Sequence, residues 1–191
     1  MNIPSLYTIF QEKWNKYQTC YIISDTHFGD KDLAAAQPDR PSDEEMIKNI
    51  NSKVGKTDIL LHLGDVGDIE CAKKLRGYKV LIMGNHDSGR TNYEGVFDEV
   101  YEGPLMISEK LILSHEPVNV PWAHNIHGHD HTGRQTKGRT NVCAEAINFT
   151  PINFNQWMKQ GHLSRVETIH RTTIDKATIK AKKRGGKKIN G

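Results

Sequence analysis

Apolar residues in this chain gather into short runs that end on Gly, Asp, Asn or Ser. Cys20-Tyr21-Ile22-Ile23-Ser24, Ile59-Leu60-Leu61-His62-Leu63 and Lys79-Val80-Leu81-Ile82-Met83 are of this kind. Their length and near-continuous apolarity predict buried strands. The segments between them follow a helical period. Ser42-Asp43-Glu44-Glu45 opens a helix running through Met46, Ile47 and Ile50, with Ser42 or Asp43 as its cap, and a short helix spans about Glu70 to Leu75. Near the start, Leu6, Ile9, Phe10, Trp14 and Tyr17 are spaced as one face of an amphipathic helix, with Pro4 near its first turn.

Beyond Met83 the pattern changes, because strand-like runs follow one another without long helices: Leu105 to Ser108, Leu111 to Ser114, about His124 to His127, and Thr140 to Ala146. A helix near Phe154 to Gln160 and a strand near Arg165 to His170 close the pattern. Early strand-helix alternation followed by a strand-rich half predicts an α/β fold of two packed mixed β-sheets flanked by helices. The expected organisation is an N-terminal helix over 1–18 packed on the body, a main domain over 19–172 and a basic tail over 173–191. No internal repeat is visible.

Composition narrows the class. A chain of 191 residues, 36% hydrophobic and 26% charged, has room for one domain with a substantial core. No apolar stretch approaches membrane-spanning length, and Met1-Asn2-Ile3-Pro4 lacks the charged region and apolar core of a signal peptide, so a cytoplasmic protein is expected, with no membrane partner. Cys20, Cys71 and Cys143 are odd in number and widely spaced, and read as buried reduced thiols. The net charge of +3 hides an asymmetry: Lys176 to Gly191 carries seven of the 26 basic residues and no acidic one, leaving 19 basic against 23 acidic residues elsewhere. That tail could contact nucleic-acid phosphates, and reads equally well as a solvated end.

The chemistry lies in five short motifs, each placed directly after a strand-like run: Asp25-Thr26-His27, Gly64-Asp65, Gly84-Asn85-His86-Asp87, His115, and Gly128-His129-Asp130-His131. Loops at strand ends are where open α/β sheets carry ligands. In an extended segment, side chains two apart share a side, so Asp25 and His27 can converge on one cation while Thr26 faces away, and His129 and His131 can each serve one ion of a pair. Asp65 has two carboxylate oxygens and can bridge two cations. Taken alone, Gly64-Asp65 reads as a turn and His115 as a surface imidazole; joined to the rarer Asp-Thr-His, Gly-Asn-His-Asp and His-Gly-His-Asp-His, they point to a dinuclear centre. Mixed nitrogen and oxygen donors without thiolate suit Mn²⁺, Fe, Zn²⁺, Co²⁺ or Ni²⁺ better than Mg²⁺ or Ca²⁺ and do not choose among the five; two such ions are expected, with Mn²⁺ the favoured expectation.

In kind and order these motifs resemble those of the calcineurin-like metallophosphoesterases, from about Cys20 to Pro151. The small stand-alone bacterial and phage members are most similar, through Ser24-Asp25-Thr26-His27-Phe28-Gly29, Ile126-His127-Gly128-His129 and Asn141-Val142; Asp30 stands where those members often carry a histidine. The resemblance implies that one metal takes Asp25, His27, Asp65 and His131 and the other takes Asp65, Asn85, His115 and His129. It makes His86 the residue that protonates the leaving oxygen or stabilises its charge, with Asp87 as the partner that fixes the His86 ring. Two ions held by these residues would lower the pKa of a bound water from about 15.7 toward about 7 and so would supply a hydroxide able to attack phosphorus in line.

His127 shares the ligand face of an already filled site and is assigned a supporting or substrate-facing role. His62, His124, His162 and His170 read as structural, while Asp68, Arg90 and Arg134 lie near the motifs and could touch substrate or equally be ordinary polar surface groups. The expected activity is hydrolysis of a phosphodiester in a nucleotide or nucleic acid. A phosphomonoesterase acting on a nucleotide or phosphoprotein is the alternative, and a non-catalytic metal-bound scaffold ranks lower because His86 and every expected ligand are present.

Overall fold

The first three apolar runs form the centre of a sheet. In the computed structural model, which describes residues 6–164, 166 and 176–180, β1 (Cys20–Ile23), β2 (Ile59–His62), β3 (Tyr78–Ile82) and β4 (Glu99–Tyr101) pair in parallel, and β9 (Ile152–Asn153) closes the β1 edge antiparallel. The second sheet has the order β5 (Leu105–Ser108), β6 (Leu111–Ser114), β7 (His124–His127), β8 (Arg139–Asn141). Its β5–β6 pair is antiparallel and the rest parallel, so both sheets are mixed, as expected.

Alternation along the strands sorts the core into layers. Ile22, Leu61, Val80 and Ile82 of the first sheet meet Leu111, Leu113 and Ile126 of the second in one buried cluster. The opposite face of the first sheet, with Ile23 and Leu60, packs on α3 (Asp43–Lys53) through Met46, Ile47 and Ile50. Ser42 caps α3 in a full capping box with Glu45, which ends the cap ambiguity of the sequence. The amphipathic segment near the start forms α1 (Thr8–Trp14), and Phe10 and Trp14 insert into the cluster between the sheets. Helix α2 (Lys31–Ala36) follows the first motif, α4 (Ile69–Lys73) the second, and α5 (Phe154–Lys159) closes the described body.

Four elements differ from expectation. The strand expected over Thr140 to Ala146 stops at Asn141, whose side-chain oxygen accepts the Cys143 N–H at 2.9 Å and turns the chain into a 3₁₀ segment, Ala144–Ile147. Helix α2 and strands β4 and β9 carry too little apolar periodicity to be read; α2 has no buried residue and β9 is two residues long. The strand expected near Arg165 to His170 lies outside the described residues, as does most of the basic tail; residues 176–180 are helical and exposed. Among the described residues no helix is long and apolar enough to cross a membrane.

Candidate active site

All five motifs emerge at the C-terminal ends of parallel strands: Asp25-Thr26-His27 after β1, Gly64-Asp65 after β2, Gly84 to Asp87 after β3, His115 after β6, and His129 to His131 after β7. Because the two sheets face each other, these ends converge along one edge of the sandwich. Backbone hydrogen bonds knit the loops together, with Asp25 N–H donating to Gly64 O at 2.9 Å, His27 N–H to Asp65 O at 3.0 Å and Phe28 N–H to Val66 O at 3.0 Å.

The local geometry differs from the extended segment assumed in the sequence reading. Asp25, His27, Asp65 and His129 have φ of 58°, 40°, 55° and 66°, a left-handed region that side chains adopt at a cost. Thr26 does face away, donating to Val66 O at 2.9 Å and lying 2.9 Å from His62 Nε2, but it does so through this turn rather than through strand alternation. Buried His62 therefore props the middle of the first motif. Two glycines leave room for the approach of the loops: a Cβ on Gly128 would lie 2.0 Å from Ser24 Oγ and 2.3 Å from Asp25 Oδ2, and one on Gly84 would lie 2.2 Å from Asp65 Oδ1.

Two clusters share Asp65. In one, His115 Nε2 lies 2.9 Å from Asn85 Oδ1, 3.2 Å from His129 Nδ1 and 3.3 Å from Asp65 Oδ2, and His129 Nδ1 lies 3.0 Å from Asn85 Oδ1. In the other, donor atoms of Asp25, His27 and Asp65 all fall within 4.8 Å of one another, and His131 Nε2 lies 3.7 Å from Asp25 Oδ1. Imidazole nitrogens and carboxylate and amide oxygens converge here at ligand spacing, and His27 Nε2 is buried with no hydrogen-bond partner among the described residues, which a cation would supply. The residues present therefore fit two divalent ions, and these are the side chains that could hold them.

The ionisation of the metal-free groups follows the same geometry. Burial works to raise the Asp65 carboxyl, but hydrogen bonds from His115 and the His86 N–H overcome it and hold Asp65 down at about 2. Burial pulls the opposite way on His115, whose pKa is nevertheless raised by the Asp65 carboxylate. His27 is lowered, chiefly by desolvation.

His86 is exposed beside this centre, its ring edge-on to His27 at 5.3 Å between centroids, with its backbone N–H 2.9 Å from Asp65 Oδ1. Asp87 is placed otherwise than expected. Its carboxylate accepts from Asp65 N at 2.8 Å, Val66 N at 3.0 Å, Gly84 N at 2.8 Å and Tyr93 OH at 3.0 Å, so it closes the turns that carry Asp65 and Asn85 instead of holding the His86 ring. His127 is buried, with Nδ1 2.8 Å from Gly128 O, where it braces the turn ahead of His129. Asp68 caps α4 and Arg90 lies 3.7 Å from Glu94, whereas His124 lies 2.9 Å from Thr140 Oγ1 and edge-on to Trp157.

A profile of the calcineurin-like phosphoesterases matches residues 19–181. The chain belongs to that family. As a calcineurin-like phosphoesterase it is a metal-dependent phosphoester hydrolase, and its two mixed sheets with flanking helices are the family's architecture. Among solved structures, this calcineurin-like phosphoesterase is similar to a protein of unknown function from Aquifex aeolicus, at 26% identity and a TM-score of 0.62, covering 74% of this chain and 98% of the other. It is also similar to nuclease MPE from Pseudomonas putida, at 22% identity and a TM-score of 0.44, covering 59% of this chain and 61% of the other. No curated protein matches its sequence.

Several residues around the calcineurin-like centre had no motif to announce them. Arg40, in the loop after α2, donates to Asp25 O at 3.1 Å, to Thr26 O at 2.5 Å and to Glu145 Oε1 at 2.5 Å. Glu145 Oε1 also lies 3.1 Å from His131 Nδ1. Cys143 sits close enough to Asp25 and His131 to be a candidate donor, but its thiol donates to Glu145 Oε2 at 2.9 Å and burial pushes its pKa far up. The Asp30 carboxylate caps α2 and lies 3.7 Å from His27 Nδ1.

Proposed function

We propose that the chain hydrolyses phosphodiesters of the nucleotide or nucleic-acid type at a dinuclear centre. In this reading Asp25, His27, Asp65 and His131 hold the first ion and Asp65, Asn85, His115 and His129 the second. The supporting observation is the position of Asp65, shared by two adjoining clusters that each bring their own imidazoles. Two ions bound there would supply a nucleophilic water at neutral pH and neutralise charge building on the phosphoryl oxygens.

The rest of the work falls to side chains. His86, exposed and edge-on to His27, is proposed to give its proton to the leaving oxygen, while its N–H keeps one Asp65 oxygen in place. Asp87 acts through Asp65 as a positioning residue. Asn85, His86 and His129 are all exposed, and an open rim of this kind suits a diester with a group on each side of the phosphorus. Mn²⁺ is the ion carried into the test; the donors facing the centre, imidazole, carboxylate and amide, suit divalent transition metals as a class, the nearby Cys143 thiol being held as a donor to Glu145. A cytoplasmic setting goes with three buried free cysteines, and nucleic acid is the partner the basic tail would suit.

The test is hydrolysis of a chromogenic diester and its monoester counterpart by metal-free protein given Mn²⁺, Fe²⁺, Zn²⁺, Co²⁺ or Ni²⁺. Metal-dependent turnover of the diester is expected; faster turnover of the monoester would reassign the substrate class, and no turnover of either would overturn the enzymatic reading. His86→Ala should keep its metal and lose most turnover, on the order of 10²-fold or more, with the greater loss on an alkyl leaving group than on nitrophenolate. An equal loss on both esters would move His86 from proton donor to phosphoryl contact.

A further inference from the structure

His131 reaches Asp25 with Nε2 only if its other ring nitrogen is held, and the group that holds it comes from outside every motif. Glu145 lies on the 3₁₀ segment after β8, and its Oε1 is 3.1 Å from His131 Nδ1. An acceptor there requires the proton to sit on Nδ1, which leaves the Nε2 lone pair free to face the first cluster, 3.7 Å from Asp25 Oδ1.

The carboxylate is itself fixed from two other directions. Arg40 Nη1 donates to Oε1 at 2.5 Å and the Cys143 thiol to Oε2 at 2.9 Å. The other guanidinium nitrogen of Arg40 holds the carbonyls of Asp25 and Thr26, and the guanidinium lies 5.5 Å from the centroid of the Phe149 ring. The Arg40 side chain is 4% exposed, which places it beyond reach of a substrate phosphate and makes it a part of the frame. Asp25 and Thr26 belong to the turn whose first and last residues have left-handed φ, so the same fork braces a strained backbone.

We infer that Glu145 and Arg40 are positioning residues for the first ion: Glu145 sets the tautomer and direction of His131, and Arg40 ties that carboxylate to the backbone carrying Asp25. The inference rests on the dinuclear reading proposed above. It assigns work to two side chains that act through others, Glu145 through His131 and Arg40 through Glu145 and the carbonyls of Asp25 and Thr26. It also separates the two ions, since the Arg40 and Glu145 contacts reach Asp25, Thr26 and His131 and not Asn85, His115 or His129.

The experiment titrates metal-free full-length protein with Mn²⁺ by calorimetry, for wild type, Glu145→Gln, Glu145→Ala and Arg40→Lys. Glu145→Gln keeps the shape and removes the charge; Arg40→Lys keeps the charge and removes the fork. Two equivalents are expected in wild type, and in the variants a loss of about 10- to 100-fold in affinity for one equivalent with the other kept. Nitrogen-15 spectra of the His131 ring in metal-free protein, recorded where the imidazole is neutral, should show an Nδ1–H tautomer in wild type that is lost in Glu145→Ala. Unchanged affinities with an unchanged tautomer would overturn the assignment. So would equal weakening of both equivalents with a matching fall in Tm, since that is the signature of a merely structural role. If wild type binds no Mn²⁺, the dinuclear reading fails and this one with it; if wild type binds two ions and the variants bind them equally well, only the positioning roles fail.

Discussion

Around the proposed second ion, every imidazole is aimed by a backbone group or another motif residue. His115 Nδ1 is set by Leu63 O at 2.8 Å, which leaves Nε2 toward Asp65 and Asn85, and His129 meets Asn85 and His115 directly. Around the proposed first ion the imidazoles lean on carboxylates drawn from elsewhere: His27 on Asp30 at 3.7 Å, and His131 on Glu145 at 3.1 Å, itself bound to Arg40. A backbone carbonyl at a strand end is fixed by the sheet, whereas a side-chain carboxylate is fixed only by its partners. The comparison teaches that two halves of one centre can share a bridging ligand and differ in how their geometry is maintained. The second half follows from where the strands end; the first depends on side chains that can be removed one at a time.

The most severe way to break that difference is Asp65→Asn, which alters the ligand common to both halves. Turnover should fall below detection and the metal content from two equivalents toward none, read by elemental analysis of the purified variant. Two retained metals with near-normal turnover would show that the halves are not joined through Asp65.

Acid titration separates the site histidines from those that only pack. His131 is raised, first by its hydrogen bond to Glu145, so its contribution to stability is present below the ordinary imidazole range and lost as pH rises through its own folded value. His124, packed against Trp157 at the far end of β7, is pushed the other way, down to about 4, chiefly by burial. A base whose folded pKa is depressed stabilises the fold above its unfolded value, near 6.5, and loses that contribution as pH falls toward about 4. The Tm gap between metal-free wild type and His124→Gln should therefore be widest near neutrality and narrow steadily across that window. A constant gap would mean that His124 is not held neutral by its surroundings.

The mildest variant tests the weaker of the two carboxylate supports. Asp30→Ala removes both the cap of α2 and the neighbour of His27 Nδ1. Loss of the cap should cost about 1 kcal/mol of stability. Affinity for one Mn²⁺ equivalent should fall only a few-fold, because at 3.7 Å the Asp30–His27 contact is looser than that of Glu145 with His131. Weakening of the other equivalent instead would reverse the assignment of Asp30 to the first half.

Much of this was legible along the chain. The buried runs became β1, β2 and β3, the Ser42 and Glu45 pair became a capping box, and five motifs placed after strand-like runs emerged at one edge of the sandwich. These are short-range properties: an apolar run, a cap or a strand-end loop is specified by residues within a few positions of one another. What the sequence could not supply was whatever depends on the two sheets being brought face to face. Arg40 and Glu145 are 105 residues apart and meet only because the loop after α2 and the turn after β8 are packed against the same strand end. Asp87 looked like the partner of its neighbour His86, yet tertiary structure gave it to the backbone of Asp65 and Val66, where unpaired N–H groups in a strained turn needed an acceptor. The left-handed φ of Asp25, His27, Asp65 and His129 was equally hidden, because local preference opposes it and only the surrounding contacts hold it in place. Local pattern determined which residues came to the edge of the sandwich, and long-range packing decided how each one points.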